Sequence, residues 1–186
     1  MSSRDLEFDH YMIDMETLGL SVKSKILSIG LVHFDPFATS EEECYKDSIY
    51  LTPSIAHQTA RTMDTDTLNW WMKQPEALRP CGNQDPQYVA DKLKGFISAT
   101  SANPILWAQG TDFDITKLES FCEMYSRSVG FPWRYNSKRD LRTLISLCPH
   151  IEWPENPQKH NALEDAKCQA RMVWRCLNHI NSRGMD

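Results

Sequence analysis

Two hydrophobic rhythms divide the chain. In the first third, short apolar runs alternate with polar turns: Phe8 to Glu16 reads as a strand, and Ile26 to Phe34, rich in Ile, Leu and Val, reads as a second after a turn containing Gly19. A third run, Tyr45 to Leu51, follows the acidic turn Glu41-Glu42-Glu43. Short connections join antiparallel strands, whereas parallel ones need a long crossover, so these three runs predict an antiparallel meander.

Beyond residue 60 the spacing becomes helical. Asp66 to Lys73 is predicted as a helix that stops before Pro75, and Gln87 to Ser98 places Val89, Leu93, Phe96 and Ile97 near one stripe. Pro104 then precedes a compact buried strand, Ile105 to Ala108. Asp114 to Tyr125 returns to helical spacing through Ile115, Leu118, Phe121 and Cys122, and Arg139 to Leu147 is read as one more helix. The last helix has the clearest start, with Asn161 as N-cap and Glu164 three positions on, where a capping-box carboxylate reaches back. Ala162, Ala166, Ala170, Val173 and Leu177 line one face of it, and the small ones permit close packing on a sheet. A meander followed by alternating helices and strands predicts an α/β fold, a mixed sheet flanked by helices.

Composition changes this picture only at its edges. At 186 residues with 41% hydrophobic content, residues 1–186 suit a single domain with its own core. No apolar run approaches the roughly 18 residues needed to cross a bilayer, and Met1 to Asp9 carries acids where a secretory leader needs bases, so no membrane contact and a cytoplasmic location are expected. Cysteines 44, 81, 122, 148, 168 and 176 form no CxxC pair and are expected as reduced, buried thiols. A formal charge of −5 argues against a broad basic face for duplex DNA, yet leaves room for a nuclease that needs only a few local phosphate contacts.

Three segments carry candidate chemistry. In the first, strand periodicity sends Asp14 and Glu16 to one face and Ile13 and Met15 to the other. Two neighbouring carboxylates repel unless a cation lies between them, although an isolated D-x-E is usually a solvated strand end. In the second, an apolar strand runs into Asp112-Phe113-Asp114, where one of the two acids has a simple alternative use as a helix N-cap. In the third, His160 precedes the last helix and Asp165 lies in its first turns, so an imidazole and a carboxylate can converge. Hard divalent cations favour such oxygen ligands.

Four acids and a histidine in this order, with His160 and Asp165 five apart, resemble the DEDDh 3′→5′ exonucleases, whose fold is ribonuclease H-like. Tyr11 to Thr17, Thr67 to Gln74 and Arg139 to Leu144 are most similar to the phage exonuclease A and mycobacterial-type exoribonuclease group. Many relatives carry His-Asn where this chain has Gln109-Gly110; alignment on Phe113 makes Asp114 the family acid and leaves Asp112 as the alternative. The resemblance implies two divalent cations, Mg²⁺ or Mn²⁺, held by Asp14, Glu16, Asp114 and Asp165. It implies His160 as general base, single-stranded DNA or RNA 3′ ends as substrate, and nucleoside 5′-monophosphates as products. Thr17, Leu18, Trp70, Trp71, Arg139 and Arg142 are the candidate substrate contacts. Relatives that pair as homodimers leave self-association open. The rival readings are a silent nucleic-acid-binding module of the same fold and a nucleotide phosphohydrolase.

Overall fold

The computed structural model describes residues 9–75, 82–99 and 103–183. Strands β1 (His10–Thr17), β2 (Ile26–Phe34) and β3 (Tyr45–Leu51) form the expected meander, with β2 antiparallel to both neighbours. Phe8 lies outside the described residues. Helices α1 (Thr65–Lys73) and α2 (Pro86–Ser98) follow, each started by an aspartate, Asp64 or Asp85, whose carboxylate accepts two backbone N–H groups of the first turn. Then come β4 (Ile105–Ala108), α3 (Asp114–Tyr125), β5 (Lys138–Asp140), α4 (Leu141–Leu147) and α5 (Ala162–Arg183). The sheet order is β3-β2-β1-β4-β5, with β1, β4 and β5 mutually parallel. The architecture is the α/β, ribonuclease H-like one.

One expectation needs correction. Arg139 to Leu147 is not a continuous helix, because Lys138–Asp140 forms the edge strand β5 and the helix begins at Leu141. Asp140 marks the change: its carboxylate caps α4 through the Thr143 N–H and also accepts the Thr111 N–H. The capping box of α5 is likewise only half made. Asn161 Oδ1 accepts the Leu163 and Glu164 N–H groups, while Glu164 turns outward to Lys167 at 2.8 Å.

The alternation of β1 builds two cores. Tyr11, Ile13 and Met15 pack with α2 and α3 on one face, and Met12 packs with Trp107, α4 and α5 on the other. Asp14 and Glu16 therefore share the α5 face. Helix α5 can come down there because Asp14 pairs across the sheet with Gly30, where a Cβ would run into the Ala162 carbonyl. The five described cysteines are free and buried, and Cys81 lies outside the described residues. Among the described residues no helix is long and apolar enough to cross a membrane.

Candidate active site

Strand β1 runs past the ends of its parallel neighbours β4 and β5, and the site gathers at the C-terminal ends of these strands, the usual place in sheets of this kind. Asp14 and Glu16 lie at that end of β1, just before a register shift between Glu16 and Thr17. Asp165, one turn into α5, completes a group in which one carboxylate oxygen from each of the three lies within 4.8 Å of the others. Asp114 stands outside this triad. It opens α3 from the opposite face of the sheet, buried, with the Met15 N–H donating to its carboxylate. The N-cap position falls on Phe113, so neither aspartate is used as the cap of α3, and Asp112 is exposed.

Burial and mutual repulsion raise the pKa of each of these acids. Asp14 is pushed up to about 7, first by burial and then by Asp165, with the 2.7 Å hydrogen bond from Gln169 opposing the rise. Burial takes Glu16 to about 9, with Asp14, Asp165 and Asp114 adding to it. Asp114 rises through burial and Asp14, and Asp165 rises through burial against the hydrogen bonds that it accepts. Anionic charge at one point is thus disfavoured in the absence of a counter-cation, which is the electrostatic setting of a hard-cation site.

Asp165 is held by its neighbours. Its carboxylate accepts Asn156 Nδ2 at 2.6 Å and the His160 backbone N–H at 2.9 Å. His160 occupies the left-handed region at φ 66°, an uncommon state for a residue with a side chain. Its Nδ1 lies 4.0 Å from Glu16 Oε1, and its ring is set edge-on to Trp70 with centroids 5.0 Å apart.

The remaining candidates separate. Trp71 is core, packed with Leu18 and Leu27 and donating Nε1 to the Thr17 carbonyl, while Trp70 stays 41% exposed beside His160. Leu18 and Thr17 are buried; the exposed apolar residues of that turn are Leu20 and Val22. Arg142 approaches the acids, its guanidinium lying under Gly110 and its charge reaching Asp114. Arg139 is not brought there: it donates to the Asn136 and Lys138 carbonyls, and its charge falls on His10 at the other end of β1.

Sequence reasoning missed Gln169, Asn156 and Lys117. Gln169 follows Asp165 by four residues, the same-face spacing on a helix, so its placement was there to be read. Lys117 is fully buried, donates to the Leu20 carbonyl at 3.1 Å, and offsets part of the charge on Asp114. Burial lowers its own pKa to about 8.

The comparisons agree with this geometry. The model of the 3′-5′ exoribonuclease Rv2179c-like domain matches residues 9–177. The chain belongs to that family, and is a 3′→5′ exonuclease. It is similar to an exodeoxyribonuclease of Enterobacteria phage T4, 24% identical over 158 residues that span 73% of this chain and 70% of the phage protein. The fold is shared with exonuclease I, at TM-score 0.64 and 15% identity over 95% of this chain, which spans only 44% of that larger protein. It is shared also with the nuclease domain of 3′hExo, a DEDDh family member solved bound to rAMP, at TM-score 0.57 and 13% identity over 92% of both chains. A third likeness, at TM-score 0.54 and 16% identity over 95% of this chain and 84% of the other, is to S. pombe Pop2p solved with Mg²⁺ and Mn²⁺.

Proposed function

We propose that this chain removes nucleotides one at a time from the 3′ end of single-stranded DNA or RNA, using two divalent cations, Mg²⁺ or Mn²⁺, and releasing nucleoside 5′-monophosphates. The observation that carries this reading is the convergence of Asp14, Glu16 and Asp165 within 4.8 Å, with the His160 imidazole 4.0 Å from Glu16. The donor set fits the ions: every group is a hard oxygen, the carboxylates repel one another, and the buried Gln169 Oε1 beside them has no hydrogen-bond partner. Asp14, Glu16 and Asp165 would hold one cation, and Asp14 with Asp114 the other. Bound there, the cations supply charge stabilisation for the entering and departing oxygens of an in-line displacement.

The chain's own residues do the rest. His160 accepts the proton of the attacking water, the role that histidine takes most often in general acid–base catalysis. Asp165 orients His160 through its backbone N–H, and Gln169 fixes the rotamer of Asp14. Trp70 offers an exposed ring on which a terminal base stacks whatever its identity. The family's name points to RNA and the phage relative's to DNA, so both sugars are included. A time course on matched DNA and RNA oligonucleotides, labelled at either end, tests the proposal. Mononucleotides should leave from the 3′ end with Mg²⁺ or Mn²⁺ and none should leave in EDTA; cleavage that persists in excess EDTA or starts at the 5′ end rejects it.

A further inference from the structure

Far from the acids, two histidines meet. His150, just after α4, and His179, near the end of α5, bring their Nε2 atoms to 2.9 Å, with ring centroids 4.5 Å apart and ring planes at 66°. His179 follows Asp165 by fourteen residues of one helix, a span of about 21 Å at about 1.5 Å per residue, so the pair lies outside the site already described. His150 is exposed and His179 half-buried, which leaves the pair open to solvent.

Their meeting rests on the backbone beneath. Cys148 ends α4, and Cys176 precedes His179 by three positions on α5, the spacing of neighbours on a helix. Both cysteines are fully buried, and the Cys148 thiol donates to the Cys176 carbonyl at 3.8 Å. The Ile151 N–H closes a turn on the Cys148 carbonyl, and Arg175 donates to the Glu152 carbonyl at 2.9 Å. The segment on either side of His150 is thus held against α5 in advance, and an ordered pair of ligands loses little freedom on binding.

The two distances select a geometry. A head-on hydrogen bond, with both ring axes along the line between the nitrogens, would set the centroids about 5.2 Å apart. At 4.5 Å the axes are turned off that line. Two imidazoles bound to one cation at a right angle, with metal–nitrogen distances of about 2.05 Å, have nitrogens about 2.9 Å and centroids about 4.5 Å apart. A tetrahedral angle would widen these to about 3.3 and 5.2 Å. The right-angled edge belongs to tetragonal and octahedral coordination, where nitrogen donors suit Ni²⁺ and Cu²⁺, whereas Mg²⁺ and Mn²⁺ favour the oxygens of the carboxylates. Among the described residues only Asp14, Glu16 and Asp165 bring three such ligand atoms together, so at the histidine pair water completes the coordination. We propose that His150 and His179 form a second metal site, a cis pair of imidazoles for a dication of the Ni²⁺ or Cu²⁺ class, which joins the loop after α4 to the C-terminal half of α5.

Calorimetric titration of Ni²⁺ in excess Mg²⁺ tests the site, because Mg²⁺ competes for the carboxylates and not for the imidazoles. Wild type should bind one Ni²⁺ per chain that His150→Gln or His179→Gln weakens by at least about tenfold, the loss that even a supporting partner of a ligand causes. The double variant should bind it no more weakly than either single variant, since a chelate is lost with its first arm. Equal Ni²⁺ affinity in wild type and both single variants would leave only a hydrogen bond between the rings and overturn the site. Losses that add in the double variant would mean two separate surface imidazoles and overturn it as well. A second measurement needs no substitution: substoichiometric Cu²⁺ on the wild-type protein in excess Mg²⁺ should give an electron paramagnetic resonance spectrum split by two imidazole nitrogens, and a spectrum showing one nitrogen or none rejects the pair.

Discussion

His160 lies where three demands meet: a left-handed backbone, a hydrogen bond from its own N–H to Asp165, and a ring wedged between Trp70 and Glu16. If the ring serves as proton acceptor and not as ligand, His160→Ala should keep calorimetric Mn²⁺ affinity close to that of wild type. Its single-turnover rate should meanwhile fall by roughly 10²–10⁴-fold. Recovery of the rate on adding more Mn²⁺ would make the imidazole a ligand. Much of this site was legible in the sequence because its residues obey simple periodicities: Asp14 and Glu16 by the alternation of a strand, Asp165 by its helix start. Lys117 was not legible, since a lysine between Thr116 and Leu118 on a surface-type helix reads as solvated, and only the folded turn brings the Leu20 carbonyl to its amine.

Helix α5 and strand β2 meet through the absence of a side chain. Gly30 faces the start of α5 across from Asp14, and filling that space pushes backbone against backbone, which no rotamer change can relieve. Gly30→Ala should therefore destabilise the fold by about 1–3 kcal/mol, the usual cost of overpacking. It should also lower metal affinity, because the shifted helix carries Asp165 and His160 away from Asp14. Chemical denaturation beside Mn²⁺ titration checks this, and an alanine variant equal to wild type in both would show that the helix has room to move. Glycine in a β-strand signals close approach only in general terms; its partner, Ala162, lies on a helix whose small face the sequence did display. Strand β5 was hidden for a different reason. Lys138-Arg139-Asp140 is short, charged and paired on one edge, so it has no apolar rhythm, and the helical spacing that begins at Leu141 absorbed it.

Across the whole molecule, the strand order β3-β2-β1-β4-β5 is set by contacts between distant segments, which local periodicity does not contain. The same assembly stores unfavourable charge. In the metal-free fold Glu16 keeps its proton up to about 9, whereas an unfolded chain releases it near the ordinary 4.5. The native state therefore binds more protons through this window, and stability attributable to Glu16 declines as pH rises from about 4.5 to 9. His10 and Lys117, both lowered by burial, act in the opposite direction, so the informative quantity is a difference between proteins. Without metal, the melting temperature of Glu16→Gln relative to wild type should climb between pH 7 and 9; with saturating Mn²⁺ the advantage should vanish or reverse. A difference that stays flat with pH would remove Glu16 from the repelling cluster. The joining of Gln169 to Asp14 spans 155 positions of sequence. At about 5–20 residues per second, a ribosome needs about 8–31 s to make that stretch. Through that interval Asp14 and Glu16 exist without the helix that brings Asp165 and Gln169 to them, so on the proposed mechanism the nascent chain is catalytically incompetent beside its own messenger RNA until α5 is made.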